Sequence, residues 1–137
     1  MRSPLLLAVA FLGLAACDGG SPGVAAAGLY RADRFAVTVD GATGDYLAAG
    51  GQFDMTLTAD GRFEATIDAP DVPEIDGDDA FSASFDGTYS LSGDEVVFFH
   101  SEDVFVRDVD WTIEDGVIRT TDALGNGARF DIALRRQ

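Results

Sequence analysis

Apolar and polar residues alternate along most of the chain after residue 28, and this pattern constrains the fold more than any other feature. Every second side chain is apolar in segments such as 35–39, 53–57 and 63–67. Successive side chains of a β-strand point to opposite faces, so this period predicts strands with one face in a core. Turn sequences such as Ala59-Asp60-Gly61 and Glu114-Asp115-Gly116 separate the segments, and glycine supplies the positive φ that tight hairpins need. The sequence therefore predicts an antiparallel all-β domain.

We expect about eight strands over residues 28–137, most of them linked by hairpins. Residues 41–51 predict a loop or a short helical turn, and Gly87 predicts a bulge. Residues 96–99 are apolar on both faces, which favours a strand covered on both sides, and Val104 to Ile113 predicts the longest strand. Short antiparallel strands lose their exposed edges most completely by closing, so an up-and-down barrel of about eight strands is favoured over a two-sheet sandwich.

The chain begins with a different pattern. Residues 5–16 carry no charge and, apart from Gly13, are purely apolar. A membrane-spanning helix needs about 20 apolar residues, so this run is too short to cross a bilayer. A short start with one positive side chain, Arg2, followed by such a run, is typical of a secretory signal peptide, which we place at residues 1–16.

The four residues Leu14-Ala15-Ala16-Cys17 resemble the lipobox of bacterial lipoproteins. The resemblance implies a diacylglyceryl thioether on Cys17, cleavage before it and acylation of the new terminus. It places the protein in the cell envelope, anchored by acyl chains and facing the periplasm. Asp18 resembles an inner-membrane retention signal, but the choice between inner and outer membrane stays open. The alternative is an ordinary signal peptide followed by a chance cysteine.

Small residues fill positions 17–27 after the signal peptide, which predicts a flexible tether to a single domain at residues 28–137. The start Gly28-Leu29-Tyr30, the Asp-Gly hairpins and the ending Arg-Phe-Asp-Ile-Ala-Leu-Arg of this domain resemble the lipocalin-like small lipoproteins of bacteria. This resemblance implies a β-barrel that binds a small apolar or amphipathic ligand.

The charge of the chain restricts its partners. Nine basic residues, all arginines, stand against 24 acids, for a formal net charge of −15. Such a chain repels phosphate backbones, so nucleic acid is not expected as a partner. A basic protein, by contrast, is compatible as a partner with this negative charge.

Arg107 is the most informative polar position. On a regular strand, Phe105, Arg107, Val109, Trp111 and Ile113 share the more apolar face and should point inward. A buried guanidinium must be paired, because its desolvation alone costs several kcal/mol. We therefore consider Arg107, with Phe105 and Trp111, as a site for an acyl ligand whose carboxylate the guanidinium would hold. An internal ion pair, a position at the barrel mouth or a bulge that turns Arg107 outward are the alternatives.

The acidic segment from Asp68 to Asp79 suggests calcium, but the EF-hand spacing fails. With Gly77 at the sixth position of the loop, Val72 would fall at the first and Ala83 at the twelfth.

A calcium site of another kind could use three acids of that segment, Asp76, Asp78 and Asp79. A solvated acidic loop is the simpler interpretation. His100 is the only histidine and suits a surface or loop position. Neither a metal centre nor a nucleophile with its base is indicated, because the one cysteine is assigned to lipid. We expect no enzyme activity, no catalytic residue, no metal and no cofactor.

These observations predict a membrane-anchored, non-enzymatic module that binds a small apolar or amphipathic ligand. The alternative is an interaction module, such as an inhibitor or assembly factor, that docks on a basic protein through its acidic surface. A cavity would favour the first function, and an exposed apolar patch rimmed by acids would favour the second.

Overall fold

The computed structural model describes residues 22–75 and 79–137, in which a helical turn, Pro22–Ala26, precedes a set of β-strands. The strands are β1 (Gly28–Val39), β2 (Ala42–Asp45), β3 (Gln52–Leu57), β4 (Arg62–Ala69), β5 (Phe81–Ser92), β6 (Glu95–Phe99), β7 (Trp111–Glu114), β8 (Val117–Thr120) and β9 (Arg129–Arg136). A short 3-10 turn, Phe105–Arg107, lies between β6 and β7.

The strands form one antiparallel sheet that closes on itself. Starting from β1, the described strands pair in the order β3 to β9, and β9 returns to β1 over Tyr30–Thr38. Eight strands complete this circuit, and β2 lies outside it, paired with Ala36–Val39 at the end of β1. The all-β prediction and the closed eight-stranded barrel are confirmed, and the sandwich alternative does not apply.

Two hairpins turn on the same Asp-Gly dipeptide, with both residues at positive φ. Asp115 and Gly116 have φ of 50° and 73°, and Asp40 and Gly41 have φ of 50° and 82°. This is the geometry of a two-residue turn whose twist matches that of the flanking strands. The turn at residues 115–116 was predicted, whereas the one at 40–41 creates β2 where a loop or helical turn was expected.

Inward-facing side chains of all eight barrel strands fill the interior. The largest that are fully buried are Trp111, Tyr30, Phe53, Phe63, Met55, Leu57, Ile67, Ile118, Ile132 and Leu134. Their burial is the main stabilising term, at roughly 25 cal/mol per Å² of apolar surface. The predicted inward phases of β1, β3, β4, β5 and β9 agree with this core.

The bulge predicted at Gly87 is wrong. β4 and β5 keep one continuous register from Arg62 to Ala69, with Phe63 directly opposite Gly87. An added Cβ at Gly87 would lie 2.0 Å from the Phe99 carbonyl oxygen and 2.9 Å from Phe63 Cε1, so the glycine makes room for the backbone of β6 and for this ring. The bulge in the barrel lies instead in β1, between Ala32 and Arg34.

Residues 104–113 do not form one long strand, which corrects the prediction. Phe105–Arg107 form the 3-10 turn, with Val106 buried and Arg107 exposed, and Val109, beyond the turn, is buried as well. β7 begins only at Trp111. The prediction of a strand rested on the alternation of residue types over 104–113, which here does not reflect the period of a β-strand.

The outer face of β6 is exposed, contrary to the prediction that both of its faces are covered. Val96 and Phe98 point into the core, while Val97 and Phe99 are 37% and 55% exposed.

Residues 23–27 pack against the barrel, so the tether predicted up to residue 27 does not extend over them. Ala26 is buried, and its carbonyl oxygen accepts a hydrogen bond from Tyr30 Oη at 2.6 Å. No helix among the described residues is both long and apolar enough to cross a membrane.

Candidate functional site

A cavity of about 250 Å³ opens at the end of the barrel where β4 ends and β5 begins, which we call the mouth. Its lining is almost wholly apolar: Phe35, Val37, Val39, Tyr46, Ile67, Ala69, Ile75, Asp79, Phe81, Phe105, Ala128 and Phe130. Apolar surface in a concave site with few polar groups is typical of small-molecule binding. A cavity of about 150 Å³ is enough for benzene, so this one accommodates one ring or a short branched chain.

Five aromatic rings from five separate elements converge on the cavity. Phe35 of β1 stacks on Tyr46, with ring centroids 4.9 Å apart and planes at 29°. Phe105 of the 3-10 turn stacks on Phe130 of β9, with centroids 4.3 Å apart and planes at 13°. Phe81 at the start of β5 is the fifth ring and is 42% exposed. The two stacked pairs thus bring four aromatic rings into the lining of the cavity.

β2 and the turn after it hold part of this wall in place. Asp45 Oδ1 accepts hydrogen bonds at 3.1 Å from the backbone N–H groups of Leu47 and Ala48. The backbone N–H of Tyr46 donates to the Phe35 carbonyl oxygen at 2.9 Å. These bonds fix the turn that carries the Tyr46 ring.

The segment that follows β4 packs on β2. A Cβ added at Gly44 would lie 2.5 Å from Val72 Cγ2 and 3.1 Å from Ile75 Cδ1. Both Val72 and Ile75 are buried. The glycine thus lets the segment after β4 approach β2 and bring Ile75 to the cavity.

Asp79 is the one charged group among the described residues that line the cavity. The described ion pairs and side-chain hydrogen bonds do not involve it. Its carboxylate therefore gives the mouth a negative charge that no described cation neutralises.

Of the three ligand-binding residues considered from the sequence, Phe105 alone lines the cavity. Trp111 lies in the core, 1% exposed, with its ring centroid 6.3 Å from that of Phe53 and 5.9 Å from that of Phe98. Its Nε1 donates to the Val106 carbonyl oxygen at 2.9 Å. It therefore supports the 3-10 turn that carries Phe105.

The inward orientation predicted for Arg107 is wrong. The residue is exposed on the 3-10 turn, and its Nη1 donates to the Glu102 carbonyl oxygen at 2.8 Å. Its Nη2 lies 3.3 Å from Asp103 Oδ1, and its Nε lies 3.4 Å from Asp108 Oδ1. The guanidinium binds its own loop and is not placed to hold a carboxylate in the cavity.

Two other candidates from the sequence lie outside the described residues. Cys17 precedes them, and Asp76 and Asp78 fall between residues 75 and 79. Among the described residues no group of three or more His, Cys, Asp or Glu side chains is arranged to hold a metal ion.

His100 follows β6 directly, as a loop position would, but its ring is turned inward. Both ring nitrogens are buried, and the ring centroid lies 4.8 Å from that of Phe85 and 6.0 Å from that of Phe63. Burial, followed by the charge of Arg107, lowers the pKa of His100 below its ordinary 6.5. His100 is therefore a packed side chain and does not line the cavity.

Sequence reasoning had placed Phe35, Phe81 and Phe130 on inward faces but had not associated them with a ligand. It had considered Asp79 only for calcium. The available signal was positional, because Asp79, Phe81 and Phe130 stand where a predicted strand meets a loop. Their convergence depends on strand order and register, which the alternation alone does not give.

Comparison of the chain with protein-family models, with curated proteins and with solved structures finds no match.

Proposed function

We propose that this protein is a non-enzymatic binding module that takes a small, largely apolar ligand into the cavity at the barrel mouth. The observation that carries the proposal is the convergence of five aromatic rings on a cavity of about 250 Å³. Three of the rings, Phe35, Tyr46 and Phe130, are buried, and Phe81 is exposed, so the apolar lining runs from the core to the surface, as in a ligand site.

The cavity also limits the ligand. Its volume lies just below the range of about 300 to 1,000 Å³ that is usual for drug-sized ligands. A long fatty acid does not suit it, since the space is short and no described lining residue is cationic. This replaces the carboxylate-anchored acyl ligand suggested by the sequence with a smaller ligand that lacks a carboxylate.

A cavity-filling substitution tests the proposal. Ala69 is buried at the mouth end of β4 and lines the cavity, so the larger side chain in Ala69→Phe should occupy the ligand's space. Thr66→Phe adds similar bulk to the exposed face of the same strand and is the matched control. Both proteins are titrated calorimetrically with 3,3-dimethylbutan-1-ol, a compact neutral alcohol.

Binding by the unaltered protein and by Thr66→Phe, with loss in Ala69→Phe, would support the proposal. Equal binding by all three proteins would place the ligand elsewhere. No binding by the unaltered protein of the alcohol at millimolar concentration, nor of its charged analogues of the same shape, would contradict the function, whatever the fate of the variants.

We further propose that the barrel is a lipocalin-like lipoprotein, anchored in the cell envelope through acyl chains on Cys17. The motif Leu14-Ala15-Ala16-Cys17 supports this anchor, and two or three chains together hold a protein firmly to a bilayer. Cys17→Ser should prevent incorporation of labelled palmitate and release the protein from the membrane fraction. Retention of label in the variant would contradict the anchor.

Docking on a basic protein remains the second candidate, and the outer face of β6 favours it. Val97 and Phe99 are exposed there, on a chain with a net charge of −15. An apolar patch on an acidic surface suits a partner with a basic rim. The test is a double variant, Val97→Ser with Phe99→Ser, that still binds the alcohol. If the unaltered protein binds a partner in a salt-sensitive way and this variant does not, the result would support this function over the first.

A further inference from the structure

The cavity presents two features that together select the charge of a ligand. Aromatic rings attract cations to their faces, because the ring quadrupole is negative there. Five such rings line the cavity, four of them in the stacked pairs Phe35–Tyr46 and Phe105–Phe130. A cation in this space would have aromatic rings on several sides.

The second feature is Asp79. It is the charged residue of the described lining, and the described ion pairs leave its carboxylate without a cationic partner. Arg107, which the sequence suggested as an anchor for a ligand's carboxylate, donates to the carbonyl oxygen of Glu102 instead. A negative group at the rim of an aromatic cavity favours a positive group on the ligand and disfavours a carboxylate.

The net charge of the whole protein also favours a positively charged ligand. With a formal net charge of −15, the surface raises the local concentration of cations and lowers that of anions. This long-range attraction is screened by salt, whereas contacts inside the cavity are screened much less. Salt dependence can therefore separate the general field from selection by the cavity.

On this basis we propose that the ligand is a small organic cation, an alkylammonium or quaternary ammonium compound. Its apolar groups would lie against the aromatic walls, and its charge would lie near Asp79. This inference rests on the proposed function, because it assigns a chemical class to the ligand of the same cavity.

Three probes of nearly equal shape test the inference. Choline, 3,3-dimethylbutan-1-ol and 3,3-dimethylbutanoate each carry a tert-butyl-like group and differ in charge. Each is titrated calorimetrically into the purified protein, expressed from the full-length sequence, at low salt and again at physiological salt. We expect choline to bind about tenfold more tightly than the alcohol, with a clear preference persisting at physiological salt, and the carboxylate to bind most weakly.

Two variants locate the effect. Asp79→Asn should weaken choline binding several-fold more than it weakens alcohol binding, while Asp71→Asn, an exposed acid outside the lining, is the control for net charge. Phe81→Leu keeps an apolar side chain but removes a ring face, so it should reduce the preference for choline over the alcohol.

The outcomes separate the two proposals. Equal binding of choline and the alcohol, or a preference for the carboxylate, would overturn the cationic ligand while leaving a ligand-binding cavity. A preference for choline that Asp79→Asn and Asp71→Asn reduce equally would also overturn it, because the surface field alone would then be responsible. Failure of all three probes to bind would contradict the proposed function itself.

Discussion

The two ends of the barrel are built from different chemistry. At the end where β1 begins and β9 finishes, which we call the closed end, polar groups bind the helical turn to the sheet. Tyr30 Oη donates to the Ala26 carbonyl oxygen at 2.6 Å and accepts a hydrogen bond from Arg136 Nη2 at 2.7 Å. Arg136 Nη2 also donates to the Ala25 carbonyl oxygen. Tyr30 and Arg136 thus use their polar groups in contacts within the chain.

The mouth has the opposite character. Its aromatic rings contact one another and a cavity, and its one described charge, on Asp79, has no cationic partner among the described residues. Contacts satisfied within the chain contribute to stability, whereas apolar surface and charge left facing a cavity are free to bind something else. The difference assigns stability to the closed end and recognition to the mouth.

Truncation of one ring at each end should give the largest contrast. Tyr30 is fully buried, so Tyr30→Ala should lower the free energy of unfolding by about 3–5 kcal/mol through a cavity and lost hydrogen bonds. Phe81 is 42% exposed, and Phe81→Ala should cost about 1 kcal/mol. Chemical denaturation measures both changes, and equal losses would mean that the mouth is as structural as the closed end.

The neighbouring arginines at the end of β9 give a finer contrast. Arg136→Leu removes charged donors to Tyr30 Oη and the Ala25 carbonyl oxygen, and should cost about 1.5–3 kcal/mol. Arg135→Leu removes a surface ion pair with Asp33, in which both side chains are about half exposed, and should cost about 0–1 kcal/mol. If the two variants had the same unfolding midpoint, the network at the closed end would not be a special source of stability.

His100 should give the smallest effect, visible as a dependence on pH. Burial and the charge of Arg107 lower its pKa in the folded protein, so the unfolded chain binds a proton more readily below about pH 6.5. The free energy of unfolding should therefore fall as the pH falls from 7 through 6.5 to the folded pKa, and this contribution should then level off. His100→Phe removes it.

The measurement for this residue is the difference in unfolding free energy between wild type and His100→Phe at several pH values. Taking the difference cancels the contributions of the many carboxylates. A difference that stays constant between pH 7 and 5 would show that the ring is not protected from protonation.

The closed barrel could be predicted because it depends on local patterns. Alternation placed the inward residues of five strands, and Asp115-Gly116 predicted a hairpin that the structure has. The same dipeptide at Asp40-Gly41 was overlooked, because no clear alternation follows it. Turn chemistry was the more reliable signal there, and it would have placed β2.

The site could be predicted only in small part. Phe105 was included for the wrong reason, as a neighbour of an inward Arg107 on a strand that does not exist. The 3-10 turn buries Val106 and leaves Arg107 on the surface, and this orientation depends on tertiary packing. The five rings of the mouth come from separate elements, so no spacing in the sequence announces them.

Mapping a bound ligand onto the barrel tests the central assignment most directly. Amide chemical shifts of ¹⁵N-labelled protein are followed while 3,3-dimethylbutan-1-ol is added, because a neutral probe does not depend on the charge of the ligand. The account predicts saturable shifts confined to the mouth, around Phe35, Tyr46, Phe81 and Phe130. Shifts centred on Val97 and Phe99, or at the closed end around Tyr30, would contradict it.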